Sequence, residues 1–372
     1  MNFKEAFLQG QEGNNFGLDT GLVNINQFMG GVQRKSTYTI AGAPKSGKTA
    51  LVDNLFLINP FIDSLRKEVV DKGITVDWIY FSYEIDRMKK QFRLIPYFMF
   101  KEFGVTHYEW KGRSYPINPM FFEGKLQDED RNIITASPKM KDGVFKVYEK
   151  WIKPMFGEYD SNGNCIQKGK IDFIEDKMNP TGMYHYLMDY ADKHGKFIHE
   201  TYPTQENGKS VNKSRISGYK PNDLNHFTIV ITDHMRNLKR EKGYSLKENV
   251  DRWSGYQVDL RNLCGFTFVN VIHTNRSLGD VDRIQFMSDE LYPTAETIKD
   301  TGNLSEDSNF IITLFNPRDE KYKIRKHFNC PDVRKYPNIR SWHLVESRDT
   351  ECPVHTHLEF KGNLGLFEPL KY

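Results

Sequence analysis

Eight consecutive residues match the phosphate-binding pattern G-x-x-x-x-G-K-[ST]. They are Gly42, Ala43, Pro44, Lys45, Ser46, Gly47, Lys48 and Thr49. In such a loop the glycines let backbone N–H groups point at phosphate oxygens, and the following helix adds the positive end of its dipole. We expect the Lys48 ammonium to reach the β- and γ-phosphates of a nucleotide and the Thr49 hydroxyl to hold Mg²⁺.

The residues on either side of this loop have the patterns that the motif requires. Residues 37–41 are rich in β-branched and aromatic side chains, which predicts a strand. Residues 50–57 carry apolar side chains at helical spacing. A chance match in a glycine-containing turn is the alternative, and the strand–loop–helix context argues against it.

Two carboxylates stand at the ends of apolar stretches. Residues 226–233 end in Asp233, and residues 76–84 end in Glu84. Both stretches predict parallel strands, and ligands of open α/β sheets bind at the carboxyl ends of such strands. We expect Asp233 to hold Mg²⁺ through an outer-shell contact and Glu84 to act as a general base on water. The alternatives are an N-cap or loop aspartate for Asp233, and a helix-capping glutamate before Arg87 for Glu84.

Two further candidates follow predicted strands. His273 ends the apolar stretch 266–272, where it would report the state of the γ-phosphate to the next loop. Its alternative is an ordinary, satisfied polar residue. Arg348 follows residues 342–347 and is a candidate arginine finger for the phosphates of a neighbouring subunit. Its alternative is a solvated surface arginine.

Basic side chains in the loops that leave the same strand ends could contact a nucleic-acid backbone. These candidates are Arg236, Lys239, Arg240, Lys242 and Arg276. The basic stretch 87–93, which opens a predicted helix over residues 87–103, is instead interpreted as the solvated face of that helix.

Cys352, His355 and His357 suggest a second metal site at first sight. Strand alternation, however, predicts that His355, His357 and Glu359 share a solvent-facing side. Because no fourth ligand is spaced nearby, we do not predict a metal there.

The order of the predicted elements indicates the fold class. Strands and helices alternate from residue 37 to a strand at residues 310–315, which predicts an α/β protein with a mostly parallel central sheet and helices on both faces. Residues 342–347, 354–360 and 364–367 predict a terminal antiparallel set of strands. Thr181 is the predicted N-cap of a helix, and residues 197–224 are predicted to form an inserted loop or small hairpin.

Composition limits the functional classes. The 372-residue chain has a net charge of +3, which excludes a histone-like polycation but allows a channel lined by basic loops. No apolar run approaches the roughly 18 residues of a membrane span, and the first residues lack the apolar core of a signal peptide. The four cysteines are scattered, so we expect a reduced, cytoplasmic protein.

Taken together, these segments resemble the RecA-like motor domain of DnaB-type replicative helicases. The resemblance covers about residues 17–370, with insertions near 157–170 and 197–225. The matching segments, in chain order, are 20–31, 42–49, 80–85, 124–126, 171–183, 229–233, 273–278, 300–307 and 346–348.

Three features depart from that family's pattern. Glu346 stands where the finger segment usually has lysine, so only Arg348 is carried over. His273 stands where the family usually has glutamine. Only about 19 residues precede the motor, so the primase-contacting N-terminal domain is expected to be missing, as in a phage or mobile-element version. We therefore expect residues 1–19 to be an arm or subunit linker and residues 20–372 to be a RecA-like P-loop NTPase domain.

The resemblance implies an ATP- and Mg²⁺-dependent DNA helicase that acts in DNA replication. It implies a ring, usually of six subunits, with ATP between subunits and single-stranded DNA in the channel, and with forked duplex as substrate. A primase or a loader are further expected partners, and the host cytoplasm is the expected location of a phage version. The alternatives are a RecA-like DNA-binding ATPase without unwinding, such as a recombination mediator or loader-like switch, and a small-molecule P-loop kinase.

Overall fold

A large β-sheet forms the centre of the molecule. The computed structural model describes residues 3–13, 15–206, 209–274, 288–298 and 303–372. The strands are β1 (Thr37–Gly42), β2 (Thr75–Ser82), β3 (His107–Trp110), β4 (Arg113–Pro116), β5 (Glu158–Tyr159), β6 (Cys165–Gln167), β7 (Ile171–Ile174), β8 (Gly195–Glu206), β9 (Lys209–Pro221), β10 (His226–Asp233), β11 (Thr267–His273), β12 (Phe310–Phe315), β13 (Ile339–Ser347), β14 (Val354–Lys361) and β15 (Leu366–Pro369).

Within the described residues the central sheet has nine strands, in the order β15-β14-β13-β12-β1-β11-β10-β2-β7. The six strands from β12 to β7 run parallel, and β13, β14 and β15 add antiparallel pairs at one side. The predicted fold class is confirmed, including the terminal antiparallel set. The chain also forms the separate hairpins β3–β4, β5–β6 and β8–β9.

Helices surround the sheet and connect its strands. The α-helices are α1 (Phe3–Gln11), α2 (Val23–Met29), α3 (Lys48–Val52), α4 (Asn59–Ser64), α5 (Lys67–Asp71), α6 (Arg87–Phe103), α7 (Pro119–Phe122), α8 (Pro138–Val147), α9 (Lys153–Phe156), α10 (Pro180–His194), α11 (Leu246–Cys264) and α12 (Leu304–Asp307). Two π-helical turns, Asp53–Ile58 and Tyr148–Ile152, join α3 to α4 and α8 to α9.

Alternate side chains of the parallel strands enter two hydrophobic cores. On one face, Trp78 and Tyr80 of β2 pack with residues of α3 and α6. On the other face, Ile79 and Phe81 pack with residues of α10 and α11. Because both faces are covered, these strands appear in the sequence as continuous apolar runs rather than as alternating ones.

Three local predictions were wrong. Asn179, not Thr181, caps α10, because its side chain accepts a hydrogen bond from the Gly182 N–H and Pro180 occupies the first turn. The stretch 87–93 is only partly solvated, since Lys90 is completely buried. His357 is buried as well, because His327 and Tyr372 pack against its imidazole.

The segment predicted as an inserted loop or small hairpin is a long hairpin formed by β8 and β9. It pairs from Gly195↔Pro221 to Glu206↔Lys209 and leaves the sheet between α10 and β10. Among the described residues, none of the helices combines the length and apolarity needed to cross a membrane.

Candidate nucleotide site

The phosphate-binding loop connects β1 to α3. A Cβ atom on Gly42 would lie 2.6 Å from the carbonyl oxygen of Leu314, so only glycine fits beside β12. Gly47 precedes α3 with φ +103°, a conformation that glycine adopts without strain. The loop therefore has the tight turn and close backbone approach that the sequence motif predicts.

Lys48 is buried and directed back into the loop. Its ammonium donates hydrogen bonds to the carbonyl oxygen of Ala43 at 2.8 Å and to Nδ1 of His273 at 2.9 Å. Burial lowers the pKa of Lys48 to about 8, so the group is mostly charged at pH 7. Burial and the charge of Lys48 lower the pKa of His273 to about 4, so the imidazole is neutral and its Nδ1 accepts.

Thr49 and Asp233 bring two oxygen ligands together. The Thr49 hydroxyl lies 3.4 Å from Oδ1 of Asp233, and the Tyr80 hydroxyl donates to Oδ2 at 3.0 Å. Asp233 does not cap a helix, because the side chain of His234 caps the short 3-10 helix that follows. Asp233 thus faces the loop rather than serving as an N-cap.

A buried lysine lies behind Asp233. Lys90 is fully buried and donates hydrogen bonds to Oδ1 of Asp53 at 2.5 Å and to the Tyr80 hydroxyl at 2.7 Å. Because the Tyr80 hydroxyl in turn donates to Asp233, the three side chains form a chain of hydrogen bonds that ends at Asp233. Lys90 was not among the residues predicted from the sequence, although Leu94 and Tyr97 at i+4 and i+7 place it on the apolar face of its helix.

Glu84 lies at the same edge, two residues beyond β2. Its side chain is exposed, and the Asn237 amide donates to its Oε1 at 3.4 Å. The cap of α6 is Asp86, which accepts from the Lys89 N–H at 2.7 Å. Glu84 therefore has no capping role and remains available to a ligand.

A second histidine beside the loop has an unsatisfied donor. The ring centres of His234 and His273 lie 4.0 Å apart. Nδ1 of His234 accepts from the Arg236 N–H at 3.2 Å, so its proton lies on Nε2, which is buried without a partner among the described residues. The Ser46 hydroxyl is likewise buried and unpartnered within the described part of the chain. His234 was not among the residues predicted from the sequence.

These features fit a Mg²⁺–nucleotide. The glycine cradle leaves room for phosphates, and unpartnered buried donors are what a bound anion would satisfy. The hydroxyl of Thr49 and the carboxylate of Asp233 form the hard oxygen set that Mg²⁺ prefers.

The terminal strands support the loop from outside. Arg340 of β13 donates from Nε to the carbonyl oxygen of Ser46 at 2.9 Å, and its guanidinium lies 5.3 Å from the ring centre of Phe360. A Cβ atom on Gly47 would lie 3.1 Å from Phe360 and 3.2 Å from Phe367, so these rings press against the loop. The sequence carried no signal for this support.

Arg348 lies away from the loop of its own chain. Ser347 pairs with Phe310 at the amino end of β12, whereas the loop is at the carboxyl end of β1. Arg348 is exposed and donates to the carbonyl oxygen of Glu306 at 2.6 Å. Arg348 therefore lies near the amino ends of the parallel strands, whereas Lys48 lies near their carboxyl ends.

The basic loop candidates follow β10. Arg236, Lys239 and Arg240 are exposed, and no ion pair involves them within the described ranges. Arg236 contributes positive charge that lowers the pKa values of His234 and His273. Arg276 lies outside the described residues.

Solved structures with similar folds cover the whole chain. One is described as an "ATPase Domain", with a TM-score of 0.62, 14% identity, and coverage of 100% of this chain and 99% of that one. Another is described as "The Structure Of A DnaB-Like Replicative Helicase And Its Interactions With Primase", with a TM-score of 0.57, 16% identity, and coverage of 100% and 67%. No protein-family model and no curated protein sequence matches the chain. The chain has the RecA-like ATPase fold, and over its full length this fold is similar to that of a DnaB-like replicative helicase.

Proposed function

We propose that this protein is an ATP-dependent DNA helicase of the DnaB type, a ring-forming motor that moves along single-stranded DNA and unwinds duplex during replication. One observation carries the proposal. The carboxyl ends of the parallel strands bring together Lys48, Thr49, Glu84, Asp233 and His273. Arg348 is exposed at the opposite, amino ends of these strands. A ring in which one subunit's edge faces the next subunit's opposite edge would complete each site.

Each of these site residues would then have a defined role in ATP hydrolysis. Lys48 exchanges its hydrogen bonds to Ala43 and His273 for the β- and γ-phosphate oxygens of ATP. Thr49 and Asp233 would hold Mg²⁺, which neutralises phosphate charge when bound. Glu84 takes a proton from the attacking water.

His273 and Arg348 complete this scheme. When Lys48 turns to a phosphate, Nδ1 of His273 loses its donor, so the imidazole changes partners with the nucleotide state and can act as the γ-phosphate sensor. Arg348 of the neighbouring subunit neutralises charge that develops in the transition state. The hydrolysis of one ATP thus depends on two subunits.

The basic loop after β10 is our proposed DNA contact. Arg236, Lys239 and Arg240 follow Asp233 directly along the chain, so a change at the nucleotide can move them along a phosphate backbone. Arg276, outside the described residues, is proposed for the same role. A primase or loader, a phage or mobile-element origin, and a location in the host cytoplasm belong to this proposal.

Exposed apolar side chains in the N-terminal helix are consistent with the proposed ring. Helix α1 exposes Phe3, Phe7 and Leu8, with exposed fractions of 83%, 55% and 60%. Such an apolar helix is stabilised when it is covered. We propose that residues 1–19 pack on the neighbouring subunit, that residues 20–372 form the motor, and that the ring has six subunits.

The test is ATP hydrolysis and strand displacement on a forked duplex, with single-stranded DNA as stimulant. Lys48→Ala and Arg348→Ala should each reduce both activities by roughly 100-fold or more, as the loss of a charge-stabilising group does. Arg334→Ala is the matched control, because Arg334 is an exposed arginine paired only with the nearby Asp332 among the described residues. Activity that persists in either site variant would contradict the proposal.

Mixing the two variants tests the action of Arg348 in trans. A ring that contains both kinds of subunit has some interfaces with an intact Lys48 on one side and an intact Arg348 on the other. ATPase activity should reappear on mixing. If the mixture stays as inactive as its components, Arg348 does not act across the interface.

A DNA-binding ATPase without unwinding is the second candidate. It is favoured by Glu346, an exposed carboxylate two residues before Arg348, where a positive charge would assist the finger. DNA-stimulated ATPase without strand displacement would select this function. A monomer in the presence of ATP and single-stranded DNA would favour a small-molecule kinase instead.

A further inference from the structure

A cluster of metal-ligating side chains lies at the edge of the sheet opposite the nucleotide site. Asp77 is near the start of β2, His226 is the first residue of β10, and His194 is the last residue of α10. Each offers one ligand atom, and these atoms all lie within 4.8 Å of one another. All three residues are half-buried. The proposed helicase function uses none of them.

The tautomer of His194 leaves a lone pair free for a metal. Its Nδ1 lies 2.8 Å from the backbone carbonyl oxygen of Tyr190. A carbonyl can only accept, so Nδ1 carries the proton and Nε2 carries the lone pair. This is the arrangement of metal-binding histidines, whose second nitrogen donates to a carbonyl or carboxylate.

The tautomer of His226 is set in the same way by two further residues. Its Nδ1 lies 3.0 Å from the Thr75 hydroxyl, and that hydroxyl donates its single proton to Asp223 at 3.2 Å. The Thr75 oxygen must therefore accept from Nδ1–H, which leaves the lone pair of His226 on Nε2. Both imidazoles thus offer Nε2.

The centre of the cluster holds more acceptors than donors. Nε2 of His226 lies 3.8 Å from Oδ2 of Asp77. The Tyr190 hydroxyl lies 3.2 Å from this nitrogen and 3.4 Å from this carboxylate oxygen. One hydroxyl proton is shared between a lone pair and a carboxylate. Lys170 approaches the other oxygen of Asp77, at 3.4 Å. A cation between the ligands would satisfy them all.

We propose that Asp77, His194 and His226 bind Zn²⁺. Two imidazole nitrogens and one carboxylate oxygen are a ligand set that Zn²⁺ takes in tetrahedral sites, with water in the fourth position. The Tyr190 hydroxyl would then donate to Asp77 and hold that ligand in place.

The position of the site indicates what the ion does. Strand β8 begins directly after His194, and β9 ends five residues before His226. Zn²⁺ would therefore fasten both ends of the β8–β9 hairpin to Asp77 on the central sheet. The hairpin would be held by the ion in addition to the few contacts at its base, such as the Tyr219 hydroxyl donating to the Ala191 carbonyl at 2.8 Å.

The primary test is a titration of the full-length protein, stripped with EDTA, with Zn²⁺ alone in competition with a chromophoric chelator. One equivalent should bind to the wild type. His194→Ala and His226→Ala should each weaken binding by about 100-fold or more, since even an outer-shell partner costs 10- to 100-fold. His107→Ala, at an exposed histidine on another hairpin, is the matched control.

Two further variants separate this site from others. Thr75→Val should weaken Zn²⁺ binding by about 10-fold, because it removes only the group that fixes the tautomer. Asp233→Asn should leave the Zn²⁺ affinity unchanged, since it affects the proposed magnesium site. Circular dichroism checks that each variant is folded.

Proteolysis supplies a readout besides affinity. Zn²⁺ should slow cleavage within the β8–β9 hairpin of the wild type but not of His226→Ala. Equal Zn²⁺ affinities in the wild type and in both histidine variants would overturn the proposal and show a polar cluster satisfied through Tyr190 alone. That result would leave the proposed helicase function unaffected.

Discussion

Replacing Lys90 with methionine removes a buried charge next to the candidate nucleotide site. The Lys90 ammonium is fully buried, and the side chain of its partner Asp53 is 7% exposed. Burial raises the pKa of Asp53, and the nearby charge of Lys90 counteracts part of that shift. In Lys90→Met the carboxylate is left without its cation, so Asp53 must either stay charged in an apolar surrounding or take up a proton.

The expected loss of stability follows from this burial. Removing one partner of a buried ion pair costs about 3–5 kcal/mol, because the remaining charge is uncompensated. That is a large fraction of the roughly 5–15 kcal/mol by which domains are stable. A second effect is expected at Asp233, since the Tyr80 hydroxyl loses the donor that polarises it. We expect the Mg²⁺ concentration for half-maximal ATPase activity to rise several-fold.

Urea denaturation and ATPase titration with Mg²⁺ measure the two effects. Lys89→Met is the matched control, because Lys89 on the same helix is 56% exposed and its pair with Asp86 should contribute less than about 1 kcal/mol. The double variant Asp53→Leu/Lys90→Met should recover most of the lost stability. It should keep the raised Mg²⁺ requirement, because Tyr80 still lacks its donor.

Two results would refute this reasoning. An unfolding midpoint for Lys90→Met equal to that of Lys89→Met would mean that the buried pair contributes nothing. A double variant no more stable than Lys90→Met would mean that the uncompensated Asp53 charge is not the cause of the loss.

Two further predictions concern the terminal strands. Burial lowers the pKa of His327 to about 4 and that of His357 to about 3, from 6.5. As the pH falls, each imidazole becomes protonated in the unfolded chain at a higher pH than in the folded protein. The free energy of unfolding should therefore decrease below about pH 6.5, by roughly 1 kcal/mol for each histidine at pH 5.5. Urea unfolding at pH 7.5 and 5.5 measures this loss of stability. His357→Gln should reduce the difference in unfolding free energy between the two pH values. A wild type that is equally stable at both pH values would contradict the prediction. Arg340→Ala should raise the KM for ATP by about 10-fold, because a charged hydrogen bond to the Ser46 carbonyl is lost. The control Arg334→Ala should leave the KM unchanged. An unchanged KM in Arg340→Ala would show that the phosphate-binding loop does not need this hydrogen bond.

Much of the fold could be predicted because the parallel strands are covered on both faces. Strands β10 and β12 were predicted with their observed bounds, as was helix α6, since continuous apolar runs and helical spacing are local signals. The edge of the sheet where Asp233 and His273 meet Lys48 followed from the rule that parallel strands share their carboxyl ends.

The errors came from interactions that join distant parts of the chain. His357 was predicted to face solvent because alternation assumes one open side of a strand. In the structure that side is covered by Tyr372, whose hydroxyl lies 2.7 Å from Nδ1 of His357, and by His327. His327 then shares a hydrogen bond with His357 at 3.0 Å. The partner of Lys90, 37 positions away, was equally beyond local patterns.

The support of the phosphate-binding loop by the terminal strands has a consequence for how the protein is made. The Asn54 amide, just after the loop, donates to the Gly365 carbonyl at 2.6 Å across 311 positions of sequence. During synthesis the loop leaves the ribosome early, whereas Arg340, Phe360 and Phe367 follow at the far end of the chain. Contacts of such large sequence separation form late and slowly. If the proposed ATP site is correct, a nascent chain should acquire its full affinity for ATP only after strand β15 has been translated.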